Sequence, residues 1–129
     1  MTEKRILIID DEESIQTVVE FGLKMTAGWE VIGASSGNEG ISRAQTEQPD
    51  MILLDVMMPE MDGLATFRAL QLNDQTRSIP VIFLTAKAQA SEKRLFNDTG
   101  GNGVITKPFN ALELAQQICK VLNWTELSN

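Results

Sequence analysis

The chain has 129 residues, 43% of them hydrophobic, with 18 acidic against 11 basic side chains and a formal net charge of −7. That length fits one domain over residues 1–129, a core at about 4–122 and a short tail at 123–129. The acidic balance argues against binding to nucleic acid through phosphate neutralisation and against docking on an anionic membrane. There is no histidine, which excludes imidazole catalysis and imidazole metal ligation, and the lone Cys119 excludes an internal disulfide and fits a reducing compartment. The first residues carry no signal-peptide pattern and no apolar stretch reaches membrane-spanning length, so the expected location is cytoplasmic.

The first apolar run, Ile6 to Ile9, is short and strand-like and ends in Asp10-Asp11-Glu12-Glu13. Acidic residues favour the first turn of a helix, and Ile15, Val18, Val19 and Leu23 recur behind them at helical spacing, with Phe21 off the stripe. Gly28 ends that helix, and Trp29 to Ala34 reads as a weaker strand at an edge of the sheet. Ser36 with Glu39 forms a capping-box pattern; the helix behind it carries Ile41 and Ala44 and stops before Pro49. Met51-Ile52-Leu53-Leu54 is a continuous apolar run that suits a strand buried on both faces, and Asp55 closes it before a loop rich in turn residues. Asp62-Gly63 opens a helix with Leu64, Phe67 and Leu70 or Leu72 inward. A polar loop over 73–78 leads to the apolar run Ile79 to Thr85. Ser91 to Asp98 is weakly helical, Gly100 to Gly103 is a turn, and Val104 to Thr106 is a short strand ending at Lys107-Pro108. Asn110 caps a last helix with Leu112, Ala115, Ile118, Cys119 and Leu122 on one face.

Strands thus alternate with helices along the chain. Crossover helices join parallel strands, so the expected fold is α/β, a doubly wound five-stranded parallel sheet in the flavodoxin-like order 2-1-3-4-5, with the most apolar runs central. A parallel sheet aligns all its carboxyl ends along one edge. The residues expected there are Asp10 and Asp11, Asp55, Thr85 and Lys107. Each alone has an ordinary reading as a helix cap, a turn residue, a β-favouring side chain or a solvated lysine. Their convergence from four strands on one edge is what those readings leave unexplained. Carboxylates brought that close repel, and a hard divalent cation with oxygen ligands offsets the repulsion; Mg2+ suits one or two carboxylates completed by waters and phosphate oxygens. A carboxylate also serves as a nucleophile toward phosphorus, with the metal and a lysine neutralising the phosphoryl oxygens.

Four stretches carry a resemblance: Ile8-Ile9-Asp10-Asp11, Leu54-Asp55-Val56-Met57-Met58-Pro59-Glu60-Met61-Asp62-Gly63, Leu84-Thr85-Ala86 and Thr106-Lys107-Pro108-Phe109. In order and spacing they resemble the receiver domain of two-component response regulators, similar to the single-domain chemotaxis type, over essentially residues 4 to 122. The resemblance implies Asp55 as phospho-acceptor and Asp11, Asp55 and the Met57 carbonyl as Mg2+ ligands, with Asp10 acting partly through water. It further implies Lys107 on the phosphate, Thr85 as switch hydroxyl and a cis peptide between Lys107 and Pro108. A sensor histidine kinase or phosphotransfer protein is the implied donor, and a downstream protein the implied target. Such a domain catalyses its own phosphotransfer and slow dephosphorylation and is not a turnover enzyme in the usual sense. Two positions depart from the pattern. Val104 stands where the family usually has the aromatic partner of the switch threonine, which points to backbone or loop movement near 86–90 as the carrier of the signal. Met57 stands where a polar residue often helps orient water, which points to an altered dephosphorylation rate.

Other readings fit less well. A phosphatase of the haloacid dehalogenase type wants a second aspartate at Met57, a flavodoxin-type flavin carrier would have its phosphate repelled by Asp10 to Glu13, and no nucleotide-binding Gly-x-x-x-x-Gly-Lys-Ser/Thr is present. The remaining alternative is an interaction module that works without phosphorylation. The few residues after Leu122 are too short for a DNA-binding module, so no output domain is expected. The output is then a protein contact, for which Glu113, Gln116, Gln117, Lys120 and Trp124 are candidates.

Overall fold

The computed structural model describes residues 4–56, 63–85 and 101–124. The elements in chain order are β1 (Arg5–Ile9), α1 (Glu13–Ala27), β2 (Glu30–Ala34), α2 (Gly37–Glu47), β3 (Met51–Asp55), α3 (Gly63–Leu72), β4 (Val81–Thr85), β5 (Gly103–Thr106), a 3-10 turn (Ala111–Glu113) and α4 (Leu114–Leu122). The five strands form one parallel sheet in the order β2-β1-β3-β4-β5. The helix expected over 91–98 lies outside the described residues.

Period-two alternation of the three central strands splits the core into two layers. Ile6, Ile8, Met51, Leu53, Ile82 and Leu84 face one layer with Val19 and Leu23 of α1 and Leu114, Ala115 and Ile118 of α4. Leu7, Ile9, Ile52, Leu54, Val81 and Phe83 face the other, with Ala44 of α2 and Phe67 and Leu70 of α3. Every residue of β3 is buried, which explains why its sequence is continuously apolar rather than alternating. Each such aliphatic side chain contributes about 1.5–3 kcal/mol relative to exposure. β2 lies at the sheet edge, as its weaker pattern indicates; Trp29, just before it, is buried beneath the first layer.

The helix ends follow local chemistry. Gly28 sits at φ 70°, a left-handed value that an L side chain rarely adopts, and closes α1 with its N–H donated to the Lys24 carbonyl at 3.0 Å. The Ser36 hydroxyl accepts from the Glu39 N–H at 3.1 Å. The Glu39 carboxylate reaches back one residue further than a capping box requires, accepting from the Ser35 N–H at 2.7 Å. α2 stops at Glu47, ahead of Pro49.

Two expected inward positions differ, Val18 and Leu112, and an open choice on α3 is settled. Val18 is exposed on α1, and the buried line runs instead through Val19, Gly22 and Leu23, with Ile15 half-buried. Leu72 is 86% exposed, leaving Leu70 as the inward residue of α3. Leu112 is 56% exposed because it belongs to the 3-10 turn, whose three residues per turn rotate it off the face that Ala115, Ile118 and Cys119 share. Trp124 packs edge-on against Trp29 with ring centroids 5.7 Å apart, and the Lys4 ammonium lies 4.5 Å from its ring centre. No helix among the described residues is long and apolar enough to cross a membrane.

Candidate functional site

Three strand ends and the turn after β5 build the site. Asp10 follows the last residue of β1. Its N–H donates to the Ala34 carbonyl at 3.0 Å, which extends the β1–β2 pairing by one residue and fixes where its side chain starts. One Asp10 carboxylate oxygen accepts from the Glu12 N–H at 2.9 Å, in the turn that leads into α1. The other accepts from Lys107 Nζ at 3.0 Å. Asp55 closes β3, and the chain stays on course beyond it because the Val56 N–H donates to the Leu84 carbonyl at 3.1 Å. Lys107 Nζ lies 3.4 Å from Asp55 Oδ1 and so bridges the two buried acids. The Lys107 N–H donates to the Thr85 carbonyl at 2.8 Å, and the Lys107–Pro108 peptide is cis.

Asp10, Asp55 and Thr85 are 0%, 2% and 3% exposed, whereas Asp11 faces solvent. One carboxylate oxygen from each of Asp10, Asp11 and Asp55 lies within 4.8 Å of the others. Asp10, Asp11, Asp55 and Lys107 therefore meet in space, and Thr85 adjoins them through its backbone carbonyl. Val104 is half-buried on β5 opposite Phe83 and packs against the second core layer. Met57 and the segment 86–90 lie outside the described residues.

A family model for the response regulator receiver domain matches residues 6–119. The chain belongs to the response regulator receiver family. Among curated relatives, the receiver is 39% identical over 125 residues to the alkaline phosphatase synthesis transcriptional regulatory protein PhoP of Bacillus subtilis, covering 97% of this chain and 51% of that protein. It is 38% identical over 122 residues to the DNA-binding dual master transcriptional regulator RpaA of Synechocystis, covering 95% of this chain and 50% of that protein. The chain thus spans about half the length of the curated relatives it matches. Among solved structures, the chemotaxis response regulator CheY4 of Vibrio cholerae superposes with a TM-score of 0.85 at 32% identity, covering 93% of this chain and 99% of that one.

Receiver domains generally use Mg2+, and this receiver's donor set suits such an ion. Among the described residues, three carboxylates and one ammonium meet around a partly buried point, an excess of negative charge that suits a cation. All the side-chain donors are hard oxygens, one of them open to water, as a cation that keeps several waters requires. Lys107 is held in its charged form. Burial works against its charge, but the hydrogen bond to Asp10 and the charges of Asp10 and Asp55 outweigh burial and raise its pKa above the ordinary lysine value.

Two supporting residues escape a reading by periodicity. Gly63 reads only as the start of a helix, yet its N–H donates to the Val56 carbonyl at 3.0 Å, and a Cβ there would lie 2.6 Å from the Asp55 carbonyl oxygen. Gly63 comes that close to the end of β3 only because it has no side chain. Gln16 falls off the apolar stripe of α1 and looks like a surface residue, but its carboxamide reaches back beneath Asp10. A glycine directly before an apolar helical run is a usable sequence signal for the first; no sequence signal marks the second.

Proposed function

We propose that this receiver accepts a phosphoryl group on Asp55 from a phosphohistidine of a sensor histidine kinase or phosphotransfer protein, in a Mg2+-dependent step, and that the modified form presents a changed protein-binding surface. The observation that carries the reading is the buried Asp55 carboxylate at a strand end, grouped with Asp10 and Asp11 and bridged to Asp10 by Lys107. Asp10, Asp11 and Asp55, joined by the Met57 carbonyl, would hold the ion; when bound, Mg2+ withdraws charge from the phosphoryl oxygens and offsets the carboxylate repulsion.

The chemistry then follows from this chain's side chains. An Asp55 oxygen forms a bond to phosphorus as the bond from phosphorus to the donor imidazole nitrogen breaks, and that nitrogen leaves with the electron pair. Asp55 is nearly stripped of water, which keeps the nucleophile unsolvated and in place. Lys107, already charged and in contact with Asp55, turns to a phosphoryl oxygen. Thr85, buried at the end of the adjacent strand, donates its hydroxyl to another. Movement of Lys107 and Thr85 toward the new group alters the β4 and β5 ends. With Val104 in place of an aromatic ring, the change passes through backbone rather than through a swinging side chain. The surface of β5 and α4 carries it to a protein partner. A coupling of about 1–3 kcal/mol changes partner affinity roughly 5–150-fold.

The test is intact mass after incubation with acetyl phosphate, with and without Mg2+. The expected result is one added phosphoryl group that requires Mg2+ and is absent in Asp55→Asn. If acetyl phosphate fails, a phosphohistidine protein replaces it as donor. Failure of both donors with folded protein, or undiminished labelling of Asp55→Asn, overturns the assignment and favours an interaction module that works without phosphorylation.

A further inference from the structure

The Gln16 carboxamide is tied to two loops at once. Its nitrogen donates to the Asp10 carbonyl at 2.8 Å, to the Ala34 carbonyl at 3.2 Å and toward the Ser35 hydroxyl at 3.2 Å. Carbonyl oxygens only accept, so the nitrogen, not the oxygen, must face them. The Asp10 carbonyl belongs to the peptide plane that joins Asp10 to Asp11. Holding that carbonyl fixes the rigid plane, and with it the place of the Asp11 Cα from which its side chain departs. Asp11 is the solvent-facing member of the acidic group, so its own surroundings restrain it least.

A second observation bears on the same contact. On the edge strand β2, a Cβ at Gly33 would lie 2.2 Å from Gln16 Oε1 and 3.1 Å from its carboxamide carbon. Gly33 thus leaves open the space that the carboxamide fills. A methyl group there would displace the end of a flexible side chain, not the strand itself.

We infer that Gln16, seated over Gly33, is a positioning residue that sets the Asp10–Asp11 peptide and thereby the affinity of the acidic group for Mg2+. This rests on the metal reading given above. Gln16 itself touches neither the ion nor the phosphoryl group; it acts through the backbone that carries two of the three side-chain ligands.

Calorimetric titration of the metal-free full chain with Mg2+ tests this for wild type, Gln16→Met, Gly33→Ala and the double variant. Gln16→Met keeps the length of the side chain and removes its donors; Gly33→Ala keeps the donors and displaces them. Residues that orient metal ligands typically contribute 10–100-fold in affinity, and an indirect effect belongs at the low end, so each single change is expected to weaken Mg2+ binding about 10-fold. Because both changes break one contact, the double variant should bind no more weakly than the weaker single one. Thr76→Val serves as the stability control. It removes the hydroxyl that donates to the Leu70 carbonyl at 2.7 Å, away from the acids, and should lower the urea midpoint without altering Mg2+ affinity. Wild-type affinity in Gln16→Met, additive losses in the double variant, or an equal loss in Thr76→Val would overturn the inference. A wild-type chain that takes up no Mg2+ would instead overturn the metal reading, and the inference with it.

Discussion

Lys107 shows how one side chain is constrained by two needs. In the proposed reaction it must stay charged to meet a phosphoryl group, and in the folded chain it already has partners. Asp10 and Asp55 supply both conditions, at 3.0 and 3.4 Å. Its pKa is raised in the folded state, so the stability that it contributes is fully present below the unfolded value of about 10.4 and is lost as pH rises through the higher folded value. Lys107→Met leaves both acids without this partner and is expected to destabilise the metal-free protein by about 1–3 kcal/mol, below the range for wholly buried pairs because the lysine keeps some solvent contact. Urea unfolding should give a constant difference between the two proteins from pH 7 to about 9, narrowing above about pH 10.4. A difference that instead grows with pH would mean that Lys107 is not held by the acids. Asp10 and Asp55 owe their place to the ends of apolar strands, a feature legible in the sequence. Gln16 owes its place to a side chain folding back beneath the loop, which no spacing rule expresses.

At the scale of elements, α1 is positioned by what it lacks. Its buried face includes Gly22, and a Cβ there would fall 2.2 Å from the Ala111 carbonyl oxygen in the 3-10 turn that precedes α4. In a free helix, Gly22→Ala would be favourable by about 1 kcal/mol. Here the obstacle is backbone, which cannot rotate aside, so the substitution is expected to destabilise by about 1–3 kcal/mol in urea unfolding. A stabilised Gly22→Ala would show that α1 and the turn are further apart than described. The same close packing accounts for the misread stripes. Apolar spacing in α1 fits Val18 as well as Val19 on a helix taken alone; the direction from which the sheet and α4 approach decides between them. Leu112 falls inward only if helical turns are counted through a segment that is 3-10, and a short tight turn has no distinctive composition.

The whole molecule is a sheet that gathers distant residues at one edge. Asp10 and Lys107 are 97 positions apart and in direct contact, because both β1 and β5 run parallel to β3. Binding at that edge is therefore linked to folding of the entire sheet. With Mg2+ at 100 times its dissociation constant, the folded state should gain about 2.7 kcal/mol, seen as a rise of several degrees in the calorimetric melting temperature relative to chelator. Asp11→Ala should remove most of that rise. An equal rise in this variant would show that the ion binds elsewhere.

The alternation of apolar runs with helical patterns determined the parallel α/β sheet, its order, the edge position of β2 and the acids at strand ends, because periodicity and burial are written into neighbouring residues. The resemblance to the receiver family, carried by the motifs at those strand ends, marked Val104 as standing where an aromatic residue is usual. The tertiary structure alone decided that Lys107 bridges Asp10 and Asp55, that Gly22 and Gly63 are sites of backbone approach, and that Gln16 rests over Gly33. These contacts join residues from different elements. Their distances depend on how whole elements pack, and that information is spread over the chain rather than held in any one stretch of it.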